Sequence, residues 1–188
     1  MKEVFHNRDD IGLVDEGWLA FLKDRAARSP LRRSRLCLHR LHDDLVQQMI
    51  IVMCKDVLFR PHRHRAKTES FHMIEGLLDL IFFDDKGTPE IVIRMGPIDS
   101  GAVFCHRLGV SQFHAVLPRS DFVVMHEITT GPWVQNDSEF APWAPTEHDA
   151  LRSFLAESAA KAEAIKRSLI PDPADRSPEQ VTVRRGQV

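Results

Sequence analysis

At 188 residues the chain has room for one ordinary domain with extensions, and two full domains would each be short of core. Hydrophobic residues make up 43% and charged residues 28%, which excludes a largely disordered or fibrous chain. The formal net charge of -2, with Lys and Arg interspersed among Asp and Glu, leaves no electrostatic footprint for a nucleic acid.

From Gly12 to Arg28 the apolar residues Leu13, Trp18, Leu19, Phe21 and Leu22 fall at helical spacing, and Ser29-Pro30 closes the segment, so a short amphipathic helix is expected. Arg32, Arg33 and Arg35 follow as the densest basic cluster, which reads as a solvated face or a local anion contact. Cys37, Cys54 and Cys105 are odd in number and widely spaced, with no CxxC pair; this fits buried thiols in a reducing compartment. No apolar run approaches a membrane span and the N-terminus has no apolar h-region, so a cytoplasmic protein is expected.

Between about Arg35 and Ile128 short apolar runs alternate with turn signals such as Asp84-Asp85-Lys86-Gly87 and Gly96-Pro97. Strands are expected at Leu45–Met53, Val57–Phe59, Phe71–Ile74, Leu77–Phe83, Ile91–Ile93, Val103–Cys105, His114–Leu117 and Phe122–Ile128. Without intervening helical patterns these make an all-β sandwich or barrel. After Pro145, Thr146 with Asp149 forms a capping signature ahead of Leu151, Phe154, Leu155, Ile165 and Leu169, which predicts a C-terminal helix. From Pro171 onward the chain is rich in Pro and charge, and a mobile tail is expected.

The chemistry concentrates in Pro61-His-Arg-His-Arg-Ala-Lys-Thr-Glu-Ser-Phe-His-Met-Ile-Glu-Gly76. Side chains two apart on a strand share a face, so His62 and His64 can present imidazoles to one ion. Glu69 lies beyond a short turn, at the start of the next strand, and can add an oxygen ligand. Gly76 permits the tight turn that follows.

This spacing of His-x-His, Glu and Gly resembles the first motif of the cupin superfamily, whose fold is a jelly-roll β-barrel. The resemblance implies a metal on His62, His64 and Glu69, with the second cupin motif contributing His114; His106 and His126 are competitors for that fourth place. Three imidazoles and one carboxylate suit one divalent transition metal, Fe, Mn, Ni or Zn, with coordination positions left open.

The flanks narrow the resemblance. Arg35-Leu-Cys-Leu-His39, Gln48-Met49, Pro61-His-Arg-His, Lys67, Glu69, Gly76, His114, Glu127 with Gly131-Pro132, and Phe140-Ala-Pro-Trp-Ala-Pro145 followed by Glu147 look like the WbuC family of cupin-fold metalloproteins. That family is often associated with surface-polysaccharide biosynthesis. The expected organisation is therefore an N-terminal helical extension at 1–34, a cupin barrel at 35–145, a C-terminal helix at 146–170 and a flexible tail at 171–188.

Around the ligands, Arg60 and Lys67 are candidates for holding an anionic substrate group or for surface ion pairs. Glu127 is a candidate general base if its face of the last strand is the lumen, and His39 is a second candidate at the barrel mouth. The leading expectation is a metal-dependent enzyme acting on a small polar molecule, a sugar or sugar nucleotide, by isomerisation or epimerisation. An Fe(II) dioxygenase and a non-catalytic metal-dependent sugar-binding protein are the alternatives. No nucleic-acid or membrane partner is expected. A homodimer is, through the sheets or the apolar face of the N-terminal helix.

Overall fold

The computed structural model describes residues 3–165 with the exception of Asn136. Its strands are β1 (Val4–His6), β2 (Arg33–Cys37), β3 (Val46–Cys54), β4 (His62–His64), β5 (Glu69–Glu75), β6 (Leu78–Phe83), β7 (Pro89–Met95), β8 (Cys105–Leu108), β9 (Phe113–Pro118), β10 (Phe122–Thr130) and β11 (Ser138–Phe140). The helices are α1 (Glu16–Arg28) and α2 (His148–Ile165). One sheet runs β1-β2-β3-β10-β5-β8 and the other β11-β4-β9-β6-β7.

The eight strands from β3 to β10 carry the topology. In chain order, the first, eighth, third and sixth lie side by side in one sheet, and the second, seventh, fourth and fifth in the other, all antiparallel. This is the order of a jelly roll. The edge strands of one sheet do not pair with those of the other, so the expected barrel is two facing sheets rather than a closed cylinder.

Alternation along each strand sorts the side chains into three cores. Between the sheets lie Met53, Phe71, Met73, Leu78, Leu80, Phe82, Val116, Val123 and Met125. On the outer face of the six-stranded sheet, Leu22 and Ala26 of α1 pack on Leu36, Ile50, Val52 and Val124. On the outer face of the other sheet, Leu151, Leu155, Ala159 and Ala162 of α2 pack on Ile81, Phe83, Val92, Ala115 and Leu117. Both helices thus cover outer faces, which leaves the space between the sheets to the site.

Helix α1 begins where Asp15 accepts a hydrogen bond from the Trp18 N–H, 3.0 Å away, a side-chain N-cap that replaces a missing helical partner. Leu22 and Ala26 on its apolar face are buried against the chain's own sheet, while Trp18 stays partly exposed. Gly76, at φ 76°, makes the turn from β5 to β6; a Cβ there would stand 2.1 Å from the Phe122 carbonyl oxygen.

Two expectations need correction. Val57–Phe59 is not a strand, because after Cys54 the chain turns, with the Val57 N–H donating to the Cys54 carbonyl, and crosses from one sheet to the other ahead of Pro61. Cys105 is exposed, whereas Cys37 and Cys54 are buried free thiols. Trp143 packs among Phe83, Phe113 and Phe154 and ties the C-terminal segment to the sheet, whereas Trp133 is exposed against His42. The tail expected from residue 171, like the end of the expected helix, lies outside the described residues.

Leu22 has no exposed surface and anchors α1. Leu22→Ala is expected to cost about 2–5 kcal/mol in urea unfolding, the range for a buried leucine whose cavity does not collapse. A loss below about 1 kcal/mol would mean that α1 is not docked as described.

Candidate metal centre

Strand β4 sits between β11 and β9, and the register sets His62 directly opposite His114. Two-residue alternation then puts His64 on the same inward face. The ring centroids are 4.6 Å apart for His62 and His114, 5.2 Å for His62 and His64, and 5.9 Å for His64 and His114. Each of the three offers a ligand nitrogen, and these atoms lie within 4.8 Å of one another.

The other ring nitrogens are already engaged. His62 Nδ1 lies 3.1 Å from the Arg60 carbonyl and His114 Nδ1 lies 3.0 Å from the Gln112 carbonyl. A carbonyl only accepts, so both rings carry their proton on Nδ1 and turn an Nε2 lone pair inward. His64 Nδ1 is 3.3 Å from the Ser138 hydroxyl. Such partners behind the ring are what orient a metal-binding imidazole.

Glu69 comes from β5, in the opposite sheet, and reaches across the interior. Its Oε1 is 2.9 Å from His114 Nε2 and its Oε2 is 3.5 Å from His64 Nε2. With the His114 proton on Nδ1 no hydrogen lies between the two, and Glu69 Oε1 and His114 Nε2 are both buried without a hydrogen-bond partner. An orphaned carboxylate oxygen beside an orphaned imidazole nitrogen is the donor set that a divalent cation satisfies.

Electrostatics prepare the same set. Burial, reinforced by His114, pulls the His62 pKa down to about 4, so this ring is a neutral ligand at physiological pH. Burial acts on His114 in the same sense, but the Glu69 carboxylate outweighs it and raises the value. Burial opposes ionisation of Glu69, yet its contacts with His114 and His64 prevail and hold it well below the usual carboxylate range.

Glu127 stands opposite Phe71 on β10 and shares the inward face with Met125 and Val123. The condition for its role as a base, that this face be the lumen, is met. Burial first, then the neighbouring Glu69 charge, push its pKa up to about 7. It lines, with the three histidines and Glu69, a cavity of about 550 Å³ between the sheets.

The other candidates are placed as follows. Arg60 lines the cavity. Lys67 instead pairs with Asp137 at 3.3 Å, both only 13% exposed, which leaves it a neighbour of His64 through Asp137, itself 3.7 Å from His64 Nδ1. His39 is not among the cavity-lining residues; its Nδ1 accepts the Gln48 N–H at 3.1 Å, which fixes the ring to the start of β3. His126 faces outward opposite His72, and His106 faces the interior between Phe71 and Phe82 but outside the three-histidine group. Arg33 and Arg35, read from the sequence only as a basic cluster, also line the cavity. Their inward phase is visible once β2 is aligned on β3.

Residues 14–95, under half of the chain, match a family described as a domain of unknown function, DUF6016. The comparison with curated proteins gives no match. Among solved structures, the chain is similar to the DMSP lyase DddQ from Ruegeria pomeroyi DSS-3, with 14% identity over 60% of this chain and 54% of that one and a TM-score of 0.46. It is similar also to a cupin superfamily protein from Desulfitobacterium hafniense DCB-2 (14% identity, 52% and 76% covered, TM-score 0.41). A third is the capsular polysaccharide assembling protein CapF from Staphylococcus aureus (17% identity, 52% and 27% covered, TM-score 0.42). The chain thus spans about half of DddQ and about a quarter of CapF. Independently of these likenesses, the strand order β3-β10-β5-β8 facing β4-β9-β6-β7 is that of a jelly roll.

The raised Glu127 predicts a pH signature in metal-free protein. A carboxyl whose folded pKa is about 7 against an ordinary 4.5 contributes stability that is complete below about pH 4.5 and is lost as pH rises through 7. Glu127→Gln lacks that dependence. Urea unfolding of both proteins should therefore show the variant gaining on the wild type between pH 5 and 8, by on the order of 2 kcal/mol after allowance for the carboxylate's partial contact with water. Parallel pH profiles would contradict the assignment.

Proposed function

We propose that the protein is a metal-dependent enzyme acting on a small polar substrate, a sugar or sugar nucleotide, with His62, His64, His114 and Glu69 holding one divalent transition metal. The observation that carries this reading is the set of inward-facing imidazole nitrogens within 4.8 Å of one another, beside a cavity that also contains an acid–base group. A cavity of about 550 Å³ falls in the range that encloses a small ligand and excludes most of its water. The link to surface-polysaccharide biosynthesis comes from the WbuC-like motifs, and Fe, Mn, Ni and Zn all suit the donor set.

A divalent metal at such a site polarises a hydroxyl or carbonyl oxygen of the substrate and eases loss of a proton from it or from the adjacent carbon. The chain's own residues supply the rest. Glu127, a carboxyl on the inward face of β10 that lines the same cavity, takes up and returns a proton there. Phe71, Met125 and Val116 form the apolar wall against which the substrate displaces water. Glu127 in the same cavity as the histidines supports catalysis over a purely binding role, because a second ionisable side chain beside a metal site is what a proton-transfer step needs.

Elemental analysis of protein purified without added metal is expected to find about one equivalent of transition metal per chain. The His62→Ala, His64→Ala double variant is expected to lose it; a full equivalent retained there would overturn the site. In turnover assays over sugar and sugar-nucleotide substrates, Glu127→Gln is expected to lower kcat by about 10²–10⁴ at unchanged metal content. Oxygen uptake by protein reconstituted anaerobically with Fe(II), in place of isomerisation, would assign the oxygenase alternative. Silence with every metal would count against an enzyme.

A further inference from the structure

Arg33, Arg35 and Arg60 converge on the cavity that holds the histidines. The register places Arg33 opposite Met53 and Arg35 opposite Ile51, both of which face the space between the sheets, so the two arginines project inward from β2. Arg60 approaches from the other sheet, two residues before His62. Arg33 and Arg60 are half-buried and Arg35 is exposed, which puts the group at the mouth rather than the floor.

Buried or half-buried arginines ordinarily find a carboxylate. Among the described residues these three meet none within 4.0 Å, in contrast to Arg63, Arg94 and Arg119, each paired with an acid. They are held by other means. The Arg33 guanidinium stacks 4.7 Å from the Phe59 centroid and that of Arg60 5.3 Å from the Phe140 centroid. Arg35 Nη1 rests 3.8 Å from the Met49 sulfur. Arg60 gives one N–H to the Ala141 carbonyl at 3.2 Å, while its Nε is buried with no partner. Faces and sulfur fix the planes of three guanidinium groups that have no carboxylate of their own within 4.0 Å among the described residues, which is an arrangement that can take up a bidentate oxyanion.

Local charge agrees. Burial first, then the adjacent Arg35, lower the Arg33 pKa, with Glu127 the main opposing charge. Glu3, which also lines the cavity, partly offsets this, but its Oε1 accepts a hydrogen bond from Ser29 at 3.1 Å. Any metal on the histidines adds further positive charge to the same space.

We propose that Arg33, Arg35 and Arg60 form a clamp for an oxyanion group, phosphate or carboxylate, of the substrate. The clamp orients the substrate so that its neutral polar end reaches the histidines. This orientation rests on the function proposed above, whereas the clamp itself does not need the metal.

An amide NMR titration separates the two. Inorganic phosphate, and in a second series acetate, is added to wild type, to the metal-free His62→Ala, His64→Ala variant, and to Arg33→Gln, Arg35→Gln. Saturable shifts at Arg33, Arg35 and Arg60 are expected in the wild type and in the histidine variant. The arginine variant should bind about ten- to a hundredfold more weakly, the loss expected for charge-assisted hydrogen bonds. Tighter binding of phosphate identifies a phosphorylated substrate, and of acetate a carboxylate. Arg33→Lys, Arg35→Lys keeps charge but not the fork and should bind at intermediate strength; it and Arg60→Gln serve if the first arginine variant does not fold. Equal affinity in wild type and arginine variants, no saturation, or binding that requires the histidines overturns the clamp. Metal content, measured separately, reports on the histidine site whatever the clamp does.

Discussion

A carboxylate buried between two sheets needs positive charge against it, and Glu69 is the residue on which this molecule resolves that requirement. It projects from the six-stranded sheet into the imidazoles of the five-stranded one, 2.9 Å from His114 and 3.5 Å from His64. Desolvating an unpaired carboxylate costs several kcal/mol, so the facing sheets are not free to pair Glu69 with an apolar surface. The histidines supply only part of the compensation, because one oxygen of Glu69 and the Nε2 of His114 remain without a hydrogen bond. The interior is built short of one cation.

That shortage organises the remaining site. Backbone carbonyls at Arg60 and Gln112 engage Nδ1 of His62 and His114, so Nε2 is the nitrogen each ring turns inward. Glu127, on the same interior face, is pushed up to about 7 by burial first and then by the charge of Glu69. Two carboxylates in one cavity are thereby driven apart in function, one held ionised by its histidines and the other able to carry a proton. Farther out, Arg33, Arg35 and Arg60 line the mouth, none of them with a carboxylate within 4.0 Å among the described residues. The cavity thus runs from an anion-seeking rim to a cation-seeking floor, and a polar molecule with one charged end matches it in one orientation.

Much of this was legible in the sequence, for reasons of geometry. His62 and His64 are two apart, and a period of two is what a strand converts into a shared face. Glu127 followed from Val123 and Met125 by the same parity. The N-terminal and C-terminal helices followed from apolar spacing and turn signals, since each must bury one face against a sheet. What depended on pairing between distant segments was not legible. Arg33 and Arg35 read as a solvated face or a local anion contact, and only the register of β2 against Met53 and Ile51 turns them inward. His39 read as a rim residue because nothing local shows that the Gln48 amide captures its ring. Val57–Phe59 has strand composition, yet the chain must leave one sheet and enter the other there, and a crossing segment cannot also be a rung. Glu69 was expected on the next strand, and it is; that this strand lies in the facing sheet is a property of the jelly roll, not of the spacing.

The central claim is that one cation completes the interior between the sheets by joining Nε2 of three histidines to Glu69. Anomalous diffraction at the absorption edge of the bound metal, from crystals of the natively purified protein, tests it most directly. The account predicts a single peak between β4, β5 and β9, with three imidazole Nε2 atoms and a Glu69 oxygen at about 2.0–2.2 Å. A peak elsewhere, coordination through Nδ1, or a metal-loaded crystal with Glu69 still hydrogen-bonded only to protein would contradict it.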